Sequence, residues 1–129
     1  MSKNILIIED DDFLRNLLSK SFTSEGFTVA SSPNGVVGLK KVKEIKPDLV
    51  LLDILLPEVN GIAMDGFGVL SGIREDASIA QIPVVLLSNM KTQEAIQKGV
   101  KLGAIDYFIK SQFTSDEIVK KATAILEKK

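Results

Sequence analysis

The sequence predicts a single α/β domain, a (βα)5 doubly wound sandwich whose five parallel strands run in the order 2-1-3-4-5. Three observations carry this. Short β-rich apolar runs alternate with longer amphipathic stretches, the pattern of a parallel sheet covered by helices. Two of the runs, Ile5–Ile8 and Leu49–Leu52, are apolar at every position, as strands buried on both faces are. The chain has 129 residues, 45% of them hydrophobic and 26% charged, which is enough to build a core without covalent staples. Right-handed crossovers then favour the order that sets both apolar runs inside the sheet.

The first strand, Asn4–Ile8, leads into a helix whose apolar side is predicted to be Phe13, Leu14, Leu17, Leu18 and Phe22, stopped by Gly26. Asp11 or Asp12 is expected to cap its start. After the second strand, Thr28–Ser31, a helix over Gly35–Ile45 carries Val36, Val37, Leu39, Val42 and Ile45. Gly35 and Gly38 weaken it, and it must end before Pro47. Leu49–Leu52 is the third strand, followed after a loop by a helix over about Phe67–Arg74. The fourth strand, Val84–Leu87, precedes a helix near Thr92–Leu102, with Thr92 as N-cap and Glu94 in the favourable first turn. Tyr107–Ile109 is the fifth strand. Thr114 and Glu117 then have capping-box spacing, and Ile118, Val119, Ala122, Ile125 and Leu126 form the buried stripe of the last helix. No linker or second-domain segment is left over, so residues 1–129 read as one domain.

Composition removes most chemistries. The chain has no cysteine, which excludes disulfides, thiolate metal sites and thiol catalysis, and no histidine, which excludes histidine general bases, imidazole zinc sites and histidine phosphocarriers. Active chemistry must rest on carboxylates, Lys, Ser, Thr or Tyr. Sixteen Lys and Arg against 17 Asp and Glu, with no dense basic run, argue against direct nucleic-acid binding. No segment approaches the ~20 apolar residues of a membrane span, so no membrane insertion is expected. The run Ile5–Ile8 is too short for a secretory signal and gives way at once to acids, so the expected compartment is the cytoplasm.

In an open sheet of this kind, ligands bind outside the carboxyl ends of the strands, at the switch point between the first and third. The residues at those ends are Glu9 and Asp10, Asp53, Ser88 and Lys110. A dinucleotide site would need a Gly-rich first turn, but here that turn is Glu-Asp-Asp-Asp. Crowded carboxylates repel phosphate unless a cation neutralises them, which points to a hard divalent metal, Mg²⁺ being the natural choice. With the metal held by Glu9 and Asp10, Asp53 can bind it and also act as a nucleophile, since carboxylates form aspartyl-phosphates. The Lys110 ammonium would balance charge on the transferring phosphoryl oxygens, and Ser88 could hydrogen-bond the new phosphoryl group. Taken singly, each residue has an ordinary reading as a cap, a turn or a surface side chain. Their joint placement on one rim sets them apart.

Four segments, Ile5–Asp11, Pro47–Pro57, Pro83–Ser88 and Gly103–Lys110, resemble the receiver domain of two-component response regulators, in particular single-domain chemotaxis-type (CheY-like) receivers with their flavodoxin-like fold. The strand order given above is also that of this family. The resemblance implies that Glu9 and Asp10 hold Mg²⁺ with the backbone carbonyl of Leu55, and that Asp53 accepts phosphate from a phosphohistidine on a sensor histidine kinase or histidine phosphotransfer protein. It further implies that Ser88 and Lys110 are signalling residues, and that Tyr107 is the switch aromatic of a face formed by helix 4, strand 5 and helix 5. That face would signal to a downstream protein not identified by the sequence. Met1 and the complete fifth helix suggest a natural stand-alone receiver.

Two departures from the family pattern stand out. The residue after Lys110 is Ser111 where the family usually has a cis-joined Pro, so a trans peptide and a rerouted loop are expected. After Asp53 the turn into the third helix is offered twice, as Asn60-Gly61-Ile62 and Asp65-Gly66-Phe67, so one copy reads as an insertion: either a flexible, tolerated surface loop or, on a sharper reading, a segment that partly covers the acid pocket or contacts a partner. Gly66, Gly68 and Gly72 lack the spacing of a phosphate loop. The positions that influence hydrolysis in this family are occupied by Leu55 and Met90, neither able to orient water, which predicts slow dephosphorylation. An alternative from another class is a receiver-like interaction module that no longer switches. A haloacid-dehalogenase-like phosphatase would want a second Asp where Leu55 stands, and a flavodoxin-like flavin binder would want a Ser/Thr-Gly phosphate loop in place of the acidic turn.

Overall fold

A computed structural model describes residues 3–128. The strands are β1 (Asn4–Ile8), β2 (Thr28–Ser32), β3 (Leu49–Asp53), β4 (Val84–Ser88) and β5 (Asp106–Ile109). The helices are α1 (Asp12–Ser24), α2 (Gly35–Ile45), α3 (Gly66–Glu75), α4 (Gln93–Lys101) and α5 (Ser115–Glu127), with a 3-10 turn at Lys110–Gln112. All strand pairs are parallel, in the order β2-β1-β3-β4-β5. Among the described residues no helix is long and apolar enough to cross a membrane.

The strict alternation of a strand splits the core into two layers. Leu6, Ile8, Val50, Leu52, Val84 and Leu86 face one way and pack with Val42 of α2, Val69, Leu70 and Ile73 of α3, and Ala95 of α4. Ile5, Ile7, Leu49, Leu51, Val85 and Leu87 face the other way against Leu18 and Phe22 of α1 and Ile118, Val119, Ala122 and Leu126 of α5. Each such fully buried aliphatic side chain contributes about 2 kcal/mol of transfer free energy.

Register fixes the functional edge. Ile8 pairs with Leu52, Asp53 with Leu87 and Ser88 with Ile109. The residues that end or follow these strands, Glu9, Asp53, Ser88 and Lys110, therefore emerge together.

The helix caps follow the sequence closely. Asp11 accepts from Leu14 N–H, Thr92 from Ala95 N–H, and Thr114 and Glu117 close a complete capping box. The first helix needs a correction. Phe13 is 78% exposed and Leu17 38%, so the apolar side is narrower than the five residues expected. At 100° per residue Phe13 lies opposite Phe22, and the sheet cannot cover both. The glycines of α2 are also more than weak points. A Cβ on Gly38 would come within 2.7 Å of Ile8 Cδ1, so Gly38 lets the helix seat on β1.

The loop after β3 contains a complete miniature hairpin. Val59 and Ile62 exchange backbone hydrogen bonds of 3.0 and 2.9 Å across Asn60 and Gly61. Both central residues have positive φ, 51° and 78°, the type I′ geometry that Asn-Gly favours. Asp65 is the N-cap of α3, and Gly66 N–H donates to the Ile54 carbonyl at 2.8 Å. Of the two turn-like copies, Asp65-Gly66-Phe67 enters the helix, and Asn60-Gly61-Ile62 is the extra turn.

Candidate functional site

At the carboxyl edge of the sheet lies a cleft of about 310 Å³ lined by Glu9, Asp10, Asp11, Asp53, Leu55, Ser88, Asn89 and Lys110. Carboxylate oxygens of Glu9, Asp10 and Asp53 lie within 4.8 Å of one another. Glu9 and Asp53 are buried and Asp10 is exposed at the mouth. Asp53 is the last residue of β3, and its backbone is held from below. A Cβ on Gly66 would overlap the Asp53 carbonyl and come within 2.7 Å of Ile54 Cα, so only a glycine there leaves the acceptor strand where it is.

Lys110 reaches into the same cleft, its ammonium 2.6 Å from Glu9 Oε1 and 3.0 Å from Asp53 Oδ2. The Lys110–Ser111 peptide is trans, and the chain turns into a 3-10 segment beyond it. The rerouted loop therefore still delivers the ammonium to the acids. Burial disfavours the charge on Lys110, but its contacts with Glu9 and Asp53 outweigh that and raise its pKa. Burial lifts the Glu9 carboxyl above its ordinary range even though Lys110 pulls the other way. Asp10 is raised too, by desolvation first and then by the charge of Glu9.

This donor set suits a hard cation. The residues supply carboxylate oxygens only, and among the described residues the buried Glu9 Oε1 is met by the Lys110 ammonium alone, at 2.6 Å, which leaves it room for a second cationic partner. A divalent ion with oxygen ligands would satisfy that atom and relieve the mutual repulsion of the three acids.

Ser88, buried at the end of β4, has its hydroxyl oxygen accepting from Met90 N–H at 3.2 Å. The half-buried Tyr107 donates its hydroxyl to the Met90 carbonyl at 2.6 Å, and burial raises its pKa. Ser88 and Tyr107 therefore grip the same loop residue from two sides. All the side chains expected at this edge are brought to it except Tyr107, which does not line the cleft and touches it through Met90. Asn89 also lines the cleft, and its place directly after the strand-end Ser88 is the sequence signal for it.

None of residues 56–65 lines the cleft, so the inserted turn does not cover the acids. Two residues beyond the turn, Met64 lies against the start of α2, where its O and Cγ would be 2.5 and 3.3 Å from a Cβ on Gly35. A separate cleft of about 430 Å³ at the amino ends of β4 and β5 includes Arg74 and Asp106. Its Arg74 guanidinium donates to the backbone carbonyls of Ala80, Ile82 and Gly103, so it serves as a structural clamp.

Residues 5–123 match the response regulator receiver domain. The chain is similar to the transcriptional regulatory protein AfsQ1 of Streptomyces coelicolor, 38% identical over 107 residues, covering 83% of this chain and 44% of that protein. It is similar to the DNA-binding dual master transcriptional regulator RpaA of Synechocystis, 35% identical over 125 residues, covering 96% of this chain and 49% of that protein. The chain thus spans about half the length of the curated relatives it matches. Among solved structures, a putative response regulator from Chloroflexus aurantiacus superposes with a TM-score of 0.85 at 26% identity, covering 98% of this chain and 99% of that one. Taken with the acidic cluster at the carboxyl edge of a 2-1-3-4-5 sheet, these likenesses settle the family: the chain belongs to the response regulator receiver domains of two-component systems.

Proposed function

We propose that Asp53 accepts a phosphoryl group from the phosphohistidine of a sensor histidine kinase or histidine phosphotransfer protein, in a Mg²⁺-dependent reaction. The observation that carries this is the Asp53 carboxylate, buried in the cleft with two further carboxylates within 4.8 Å and the Lys110 ammonium 3.0 Å from its Oδ2. Glu9, Asp10 and Asp53, with the backbone carbonyl of Leu55, would hold the ion. When bound, Mg²⁺ would neutralise the acids and stabilise charge on the transferring phosphoryl oxygens.

The chain's own residues do the rest. An Asp53 carboxylate oxygen attacks phosphorus as the P–N bond to the donor histidine breaks, and the imidazole leaves with a proton from solvent. Lys110 holds Asp53 in place and faces the incoming negative charge. Ser88 exchanges its contact with Met90 N–H for one to the phosphoryl group, which frees the loop that Tyr107 also holds. Movement there would reach the face formed by α4, β5 and α5, and through it a downstream protein. Receiver domains are signalling proteins, not enzymes in the ordinary sense, so the only chemistry proposed is gain and loss of this phosphoryl group. The near-neutral charge of the chain supports action through protein contacts, without direct nucleic-acid binding, and a cytoplasmic setting would give it access to the kinase domain that carries the phosphohistidine.

A second reading, a receiver-like interaction module that no longer switches, is favoured by Ser111 and by the inserted turn. Incubation with acetyl phosphate and Mg²⁺ separates the two. The switch gains the mass of one phosphoryl group, and the gain is lost in Asp53→Asn or in EDTA, whereas no gain in the wild type supports the static module.

A further inference from the structure

We infer that Asn89 is a phosphoryl-binding residue, its side-chain amide presented to the cleft by Ser111. This deepens the phosphoacceptor reading of the same site and rests on it. The residue after Lys110 carries a backbone N–H because it is Ser and not Pro. That N–H donates to Asn89 Oδ1 at 3.0 Å, across 22 residues of sequence.

The contact fixes which way the amide faces. A backbone N–H can only donate, so the Asn89 atom meeting it must be the oxygen, and Nδ2 is the end left over. Among the described residues Nδ2 makes no hydrogen bond within the protein, and Asn89 lines the cleft together with Asp53, Ser88 and Lys110. A carboxamide N–H at the solvent-exposed mouth of the cleft that holds the acceptor complements a phosphoryl oxygen, which only accepts hydrogen bonds, and adds no positive charge to compete with a divalent ion for the acids. The two ends of Asn89 thus have separate tasks: Oδ1 is anchored on the β5–α5 loop and Nδ2 contacts the phosphoryl group on Asp53. Ser111, an exposed residue outside the cleft lining, acts as the positioning residue.

Beryllofluoride with Mg²⁺, a stand-in for the phosphoryl group, tests this by nitrogen-detected side-chain NMR. Binding should move the Asn89 Nδ2 amide resonance along with the backbone amides of Ile54 and Ser88. Asn89→Ala should weaken beryllofluoride binding about tenfold or more, the size of one charge-assisted hydrogen bond, with the rest of the spectrum unchanged. Shifts at Ile54 and Ser88 with an unmoved Asn89 side chain, or unchanged affinity in Asn89→Ala, overturn the role of Asn89 and leave the phosphoacceptor reading standing. No shift anywhere around the cleft overturns that reading, and the role of Asn89 with it.

Discussion

Replacing Asp53 by Asn tests whether the acid cluster is under electrostatic strain when no metal is bound. Asn keeps the shape and can still accept from Lys110, but removes one of three carboxylates lying within 4.8 Å. At that upper limit of separation and an effective dielectric of about 20, each carboxylate pair costs roughly 3.5 kcal/mol or more. The Lys110 contact at 3.0 Å returns roughly 5.5 kcal/mol on the same scale. Two repulsions against one attraction favour the neutral side chain by about 1.5 kcal/mol, trimmed to about 1 because Asp10 is exposed and screened. The expected outcome is that Asp53→Asn is more stable than the wild type in EDTA, with Tm higher by about 4 °C. Added Mg²⁺ should stabilise the wild type by mass action and narrow or reverse the gap, because the variant has lost a ligand. Urea titrations with and without Mg²⁺ measure both effects. A variant less stable than the wild type in EDTA, or one that gains as much from Mg²⁺, would refute the reasoning.

Three further outcomes are expected. Burial raises the Glu9 pKa, so the folded state holds its proton longer than the unfolded state, and this group's contribution weakens as pH rises from its ordinary value through the raised one. The stability of Glu9→Gln in EDTA should accordingly improve relative to the wild type over that rise, and a pH-independent difference between the two would contradict it. Deleting the five residues Glu58–Ile62 should leave phosphorylation by acetyl phosphate unchanged, since none of them lines the cleft, and should alter stability by less than about 1 kcal/mol in denaturant titration. Because Leu55 and Met90 cannot orient water, the purified phosphoprotein should dephosphorylate slowly when followed by mass spectrometry, and a half-life of seconds would speak against this.

The inserted turn shows how local chemistry and tertiary position separate. Asn60-Gly61 is a turn wherever it occurs, because two successive positive φ values suit those residues. Which of the two similar copies would enter α3 was not legible, since it depends on Gly66 fitting against the Asp53 carbonyl. The same holds for α1. Phe13 and Phe22 are both apolar residues of one helix but lie on opposite sides of it, and only the position of the sheet decides that Phe22 is the buried one and Phe13 is not.

The sequence by itself determined the element order, the caps, the two core strands and the acids, Ser and Lys at the strand ends. Those depend on apolar runs, capping side chains and strand termini, which are properties of short stretches. Only the tertiary structure decided that Lys110 pairs with Glu9 and Asp53 despite Ser111, that the inserted turn does not line the cleft, and that Arg74 clamps Gly103. It also decided that Ser111 anchors Asn89. These contacts join residues 22 to 101 positions apart, and strand register, not local pattern, brings them within reach.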